Sequence, residues 1–170
     1  GFDGDGDRIG VIDAKGRQVS GDLLTAYLAQ DIISRRANAP VLLDVKSSDM
    51  ALDLIKKAGG DSQIWKTGHS HMKTRMAEIN APIAGEMSGH IFISDDFYGF
   101  DDALYVATRV ISQMVRTGQS ITNFVDKLPD QHATPELHIT CPDTEKFPLM
   151  ERLSAFAKSH YDHDHLTLID

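Results

Sequence analysis

"APVLLDVK" spans residues 39–46. At its centre, Val41, Leu42 and Leu43 run without a polar residue between them, and Ala39, Pro40 and Val45 extend the apolar character. A strand with one solvated face alternates apolar and polar residues. A run bare on both faces fits a strand covered on both sides. The segments on either side have the other period. "SGDLLTAYLAQDIISRRA" (20–37) places Leu24, Tyr27, Leu28, Ala29 and Ile32 at helical spacing, with a Ser/Asp start and a basic end. "SSDMALDLIKKAGG" (47–60) is a capped helix closed by glycine.

Further out the alternation continues. "RIGVID" (8–13) is a short strand and "AKGRQ" a turn. "SQIWKT" (62–67) is a second short strand and "HSHMKTRMAEIN" (69–80) a second helix of the pattern. "APIAGEMSGHIFIS" (81–94) sets a glycine-rich loop between two apolar stretches. "DDALYVATRVISQMVRTG" (101–118) and "SITNFVDKL" (120–128) are further helices. Strands alternating with helices of this length predict an α/β layer fold, a sheet with flanking helices. "LPDQHATPE" (128–136) is polar, carries two prolines and has no period, so it is a linker. Beyond it a strand ("ELHITC"), a helix ("KFPLMERLSAFAKSH") and a strand start ("HLTLID") are too little for an independent domain, so the end is expected to be cut. The start is expected to be cut as well, because it has no initiator Met and opens inside a motif.

Composition narrows the function. Hydrophobic residues at 41% and charged residues at 25% are ordinary for a globular protein. A net charge of −8 argues against a nucleic-acid binder held by a general basic surface. No apolar run approaches the roughly 20 residues needed to span a bilayer, and the acidic, glycine-rich N-terminus is no signal peptide. A single cysteine, Cys141, excludes an intrachain disulfide and fits a reducing cytoplasm. It has no Cys or His pattern around it and is read as structural.

The first loop, "DGDGDR" (3–8), carries the strongest chemical signal. Asp3, Asp5 and Asp7 alternate with glycines. Carboxylates this close raise each other's pKa unless something positive sits among them. A hard divalent cation with oxygen ligands is the usual resolution, and the glycines allow the tight turn that aims all three at one point. An EF-hand fails, because positions six and twelve from Asp3 hold Arg8 and Ala14. A dinucleotide fingerprint fails, because Gly4, Gly6 and Gly10 miss its spacing by one. An aspartate-nucleophile phosphatase loop fits poorly. A solvated acidic turn is the bland alternative. Arg8 beside the cluster favours a site for a phosphoryl group.

Three other loops point the same way. Lys46 ends a predicted strand, where open α/β sheets bind ligands. His69, in "KTGHS", opens a helix whose N–H groups attract anions. Glu86 and Ser88, in "GEMSGH", lie two apart between glycines and suit adjacent sugar hydroxyls, while His90 suits acid–base work near neutral pH. Surface lysine, helix cap and hairpin turn are the bland readings of these three loops. If the strands are parallel neighbours, the loops converge on one edge. His71 is given no role. "HYDHDH" (160–165) could suggest a metal site through its histidines and aspartates, but an exposed turn is preferred.

Taken in order, "DGDGDR", "DVK", "WKTGHS" and "GEMSGH" resemble the α-D-phosphohexomutase superfamily, and most closely its bacterial phosphomannomutase/phosphoglucomutase group. The resemblance covers essentially the whole chain. It implies the layered mixed sheet of the family's domain 3 over residues 16–129, with 1–15 the end of domain 2 and 130–170 the incomplete start of domain 4. It implies Mg²⁺ on Asp3, Asp5 and Asp7, with a phosphoserine phosphate as a further ligand. Arg8 would face the transferring phosphoryl group, Glu86 and Ser88 would hold sugar hydroxyls, and Lys46, His69 and His90 would line the cleft, with Lys46 or His90 moving protons. The implied reaction shifts phosphate between the 6- and 1-positions of a hexose through a hexose 1,6-bisphosphate. Mannose and glucose phosphates are the implied partners, in a cytoplasmic and monomeric enzyme without nucleic-acid or membrane partners. The family's serine loop and the phosphate-anchoring loop of its domain 4 do not occur in this sequence, so this chain alone is expected to be inactive. Phosphoglucosamine mutase is a second reading, ranked lower because those enzymes tend to carry Gln where Met87 stands. A non-catalytic phosphosugar- or metal-binding module is the third.

Overall fold

A computed structural model describes residues 1–130 and 139–161. The chain divides into two compact units, Gly1–Leu128 and Pro129–Asp170.

In the first unit the apolar run becomes β3 (Pro40–Asp44), flanked by β4 (Asp61–Trp65) on one side and β5 (Ile83–Gly85) on the other, with β6 (Ile91–Ile93) at the edge. β3 is parallel to β4 and to β5, and β5 is antiparallel to β6. A small antiparallel pair, β1 (Val11–Ile12) and β2 (Gln18–Val19), follows the aspartate loop.

The bare run has the expected cause. Val41 and Leu43 join Ile83, Ile91 and Ile93 in a core under α1 (Gly21–Arg35), α2 (Asp49–Lys57) and α4 (Ala103–Thr117). Leu42, Ala84 and Phe92 point the other way, onto Met72 and Met76 of α3 (His69–Glu78). Successive residues of a strand face opposite sides, so a sheet with helices on both faces leaves no place for a polar residue. All three of Val41, Leu42 and Leu43 have no solvent exposure. The result is a three-layer α/β/α sandwich built on a mixed sheet, the expected fold class.

The helices start and stop on side-chain signals. Ser48 caps α2 by accepting from the Ala51 N–H, and Asp102 caps α4 by accepting from the Tyr105 N–H at 2.9 Å. Gly118 ends α4 in the left-handed region. Ser120 and Asn123 form a reciprocal capping box on the short α5 (Ile121–Val125). α1 is buried over most of its length and lies across β5, where Gly85 leaves no room for a side chain because an added Cβ would overlap Thr25.

The second unit contains α6 (Asp143–His160), with Pro148 in its first turns and no buried residue. The strand expected over 136–141 falls partly outside the described residues, and Ile139, Thr140 and Cys141 form no regular element. Cys141 is a free thiol. The strand start at 165–170 and most of "HYDHDH" lie outside the described residues. Of that motif, His160 ends α6 and stacks on Phe156 with ring centroids 4.0 Å apart. No helix among the described residues is long and apolar enough to cross a membrane.

Candidate active site at the C-terminal edge of the sheet

Because β4, β3 and β5 are parallel, the loops after them leave the same edge. Lys46 lies in the turn after β3, His69 opens α3 two residues beyond the Lys66–Thr67 turn after β4, and Glu86 follows β5 directly. "GEMSGH" is indeed a hairpin connection, since β5 and β6 are antiparallel and the Glu86 N–H donates to the His90 carbonyl at 2.9 Å. That hairpin also carries the polar groups, so the bland and the functional readings are compatible.

Glu86 is turned inward and is only 3% exposed. Its Oε1 accepts from the Gly68 N–H at 2.9 Å, which joins the β5 loop to the start of α3. Its Oε2 accepts from Ser88 Oγ at 3.3 Å and lies 3.4 Å from His90 Nδ1. Ser88 Oγ is also 3.1 Å from His90 Nδ1. Glu86 and Ser88 were expected to reach the hydroxyls of one ligand. Of the two, Ser88 is exposed while Glu86 organises the loop from beneath.

The aspartate loop docks on this hairpin. The Ile9 N–H donates to the Gly89 carbonyl at 3.2 Å, and Arg8 bridges His90 in antiparallel fashion. His90 Nε2 lies 3.4 Å from Asp7 Oδ2. The Ala103 N–H, at the start of α4, donates to the Gly6 carbonyl at 3.1 Å. Gly89 makes the approach possible: its φ is +100°, and a Cβ there would sit 2.7 Å from the Ile9 carbonyl oxygen.

Asp3, Asp5 and Asp7 each offer a carboxylate oxygen within 4.8 Å of the others'. Asp7 Oδ1 is a buried oxygen without a hydrogen-bond partner. A convergent set of hard oxygens with one left unsatisfied fits a divalent cation such as Mg²⁺. Arg8 is tied to the loop by its own neighbour Asp3. Its Nε donates to Asp3 Oδ2 at 2.7 Å, while the backbone N–H groups of Gly6 and Arg8 donate to Asp3 Oδ1. The guanidinium hydrogen bond is the main reason the Asp3 carboxyl falls from 3.8 to about 2. Lys46 and His69 are both exposed on the same edge.

Two contributors were not singled out from sequence. Asp101 sits just before α4, places an oxygen within 4.8 Å of ligand atoms of Asp7 and His90, and accepts from Lys73 Nζ at 3.3 Å. Asp44 ends β3 with no exposure and accepts hydrogen bonds from Ser47 Oγ, Thr67 Oγ1 and the Met87 N–H. Asp44 did carry a signal, being the first polar residue after an apolar strand. Asp101 carried none beyond being one of two adjacent acids.

Comparison with known proteins identifies the family. Residues 20–132 match the family described as phosphoglucomutase/phosphomannomutase, alpha/beta/alpha domain III. A phosphomannomutase/phosphoglucomutase of Pseudomonas putida is 41% identical over 169 residues, which cover 99% of this chain and 36% of that protein. A phosphoglucomutase of Neisseria gonorrhoeae is 38% identical over 92% of this chain and 34% of its own length. The crystal structure of a phosphoglucomutase/phosphomannomutase family protein from Burkholderia thailandensis matches with a TM-score of 0.87 and 37% identity, over 99% of this chain and 35% of that one. Fold and site together define an α/β/α domain with a carboxylate loop and a glycine-rich hairpin meeting at one strand edge. The chain belongs to the phosphoglucomutase/phosphomannomutase family, and it spans about a third of the length of the relatives it matches.

Proposed function

We propose that the full-length parent of this chain is a phosphohexomutase that interconverts hexose 6-phosphate and hexose 1-phosphate, with mannose and glucose phosphates as substrates. One observation carries this reading: the aspartate loop and the "GEMSGH" hairpin are joined, with Ile9 bonded to Gly89 and His90 within 3.4 Å of Asp7. A phosphate-handling loop and a hydroxyl-binding loop in contact are what a phosphosugar enzyme needs.

Residues 1–15 are assigned to the end of a preceding domain, 16–129 to the sugar-recognising domain and 130–170 to the start of the next. Asp3, Asp5 and Asp7 would hold Mg²⁺, which when bound neutralises charge building on the phosphoryl oxygens. A phosphoserine outside this chain donates the phosphoryl group: its O–P bond breaks as a sugar hydroxyl oxygen forms the new one. The hydroxyl proton passes to His90, or to Lys46 in its neutral form, and the freed serine oxygen takes up a proton in turn. Ser88 and Glu86 orient the hexose. His69, at the N-terminus of α3, and Lys46 attract its phosphate. Reversal from the bisphosphate at the other position regenerates the phosphoserine, so no net phosphate is consumed. The family resemblance also supports a monomeric, cytoplasmic enzyme.

The test is turnover of mannose, glucose and glucosamine 1-phosphates by the purified parent with Mg²⁺ and a trace of glucose 1,6-bisphosphate. Conversion of the mannose and glucose compounds, abolished by a chelator, is the expected result. Preference for the glucosamine compound would favour the phosphoglucosamine mutase reading, and no conversion at all would favour the non-catalytic one.

A further inference from the structure

We propose that Asp44 is a positioning residue for hexose binding: its buried carboxylate ties the loops after β3, β4 and β5 into one unit and so sets the spacing of the groups that grip the sugar. The proposal rests on the phosphohexomutase reading of the site and adds a residue to it.

Asp44 stands at the C-terminal end of the central strand with no solvent exposure. Its Oδ1 accepts from Ser47 Oγ at 2.7 Å and from the Met87 N–H at 3.2 Å, and its Oδ2 accepts from Thr67 Oγ1 at 3.1 Å. One donor comes from each of the three loops. A carboxylate taken fully out of water is unfavourable unless its oxygens are hydrogen-bonded, and an apolar residue such as the preceding Leu43 would satisfy packing alone. The position is therefore explained by the bonds it makes.

Each spoke ends beside a group assigned to the sugar. Lys46 lies between Asp44 and Ser47. Thr67 adjoins Gly68, whose N–H donates to Glu86 at 2.9 Å, and His69 follows. Met87 separates Glu86 from Ser88. A loop without such a tether occupies several conformations, and a ligand must then order it on binding, which weakens affinity. None of the described hydrogen bonds of the Asp44 carboxylate goes to residues 1–10, which carry the aspartate loop. Loss of the hub should therefore weaken hexose binding more than it slows the phosphoryl-transfer step.

The experiment uses the full-length parent with Asp44→Ala, Asp44→Asn, Thr67→Val and the double variant Asp44→Asn/Thr67→Val. Two readouts are taken: the split between KM and kcat for hexose 1-phosphate, and backbone hydrogen exchange over 66–69 and 86–90. Asp44→Ala should raise KM about tenfold with kcat within about threefold of the parent, and should speed exchange in both segments. Asparagine can keep the Ser47 and Met87 bonds through its oxygen and donate to Thr67 Oγ1, a hydroxyl able to accept. Asp44→Asn should therefore stay within about threefold of the parent in KM, and adding Thr67→Val should bring the defect back. Unchanged KM and unchanged exchange in Asp44→Ala, or an asparagine variant as impaired as alanine, would overturn the proposal. If Asp44→Ala does not fold, Thr67→Val alone decides in the same way: a raised KM with faster exchange supports the hub, and no change in either sinks it. An unaltered parent that turns over no hexose phosphate overturns the phosphohexomutase reading instead, and exchange in the variants then shows separately whether Asp44 holds the loops.

Discussion

At the scale of single residues, the contact between the two loops depends on an atom that is missing. Gly89 holds φ at +100°, and its Cα faces the Ile9 carbonyl so closely that a Cβ would meet it at 2.7 Å. Gly89→Ala combines a left-handed backbone with a clash against main chain, not against a flexible side chain. It should destabilise the domain by about 1 to 3 kcal/mol, read as a lowered denaturant midpoint, and should weaken Mg²⁺ binding by loosening the aspartate loop. Leu42 tests the opposite kind of residue. It is fully buried on the α3 face, against Met72 and Met76. Leu42→Ala should cost about 2 to 5 kcal/mol, measurable in the same titration, while leaving Mg²⁺ affinity unchanged.

At the scale of elements, the sequence was most legible where one force dominates. The run at 41–43 could be read as a doubly covered strand because burial on both faces removes every polar residue from it. The start of α2 and the end of α4 were legible because Ser48 accepts from a first-turn N–H and Gly118 takes the left-handed conformation that stops a helix. What could not be read depends on partners far away in the chain. The Asp44 hub draws on donors at 47, 67 and 87, and only the strand order brings them together. The tie from the Gly68 N–H to Glu86 was not legible for the same reason: the two belong to different loops.

A second network joins α1 to α4 and the loop after β6. Arg35 and Arg109 both donate to Asp95 Oδ2, at 2.6 and 2.9 Å, and Arg116 lies 2.8 Å from Asp31 Oδ1. Burial pushes the Asp95 carboxyl up, but the two guanidinium groups outweigh it and hold it below 3.8. The Arg116 hydrogen bond is the main cause of the lowered value at Asp31. Carboxyls depressed in the folded state add stability that is fully present above their unfolded value. They lose it as the pH falls through about 4 toward their folded values. Melting temperature followed from pH 6 to pH 2 should therefore drop less steeply in Asp31→Asn/Asp95→Asn than in the parent, from a lower starting value. Equal slopes would show that the network does not govern acid stability.

At the scale of the whole molecule, the proposed function gives this chain one part of a larger site. It covers 36% of the Pseudomonas putida relative, and no serine in a Thr-Ala-Ser-His setting occurs in it. The isolated 170-residue chain should show no steady turnover of mannose 1-phosphate, whereas the parent should; sustained conversion by the isolated chain would refute that division of labour. The central claim is that the aspartate loop and the "GEMSGH" hairpin act as one phosphosugar site organised by a divalent ion. Its most direct test is a Mg²⁺ titration of the parent followed by backbone amide resonances. Saturable shifts should appear at Asp5 and Asp7 and also at Gly89 and His90, with later glucose 1-phosphate moving Ser88 and His90 further. Mg²⁺ that leaves the aspartate amides unmoved at millimolar concentration, or moves them without touching the hairpin, would contradict the claim.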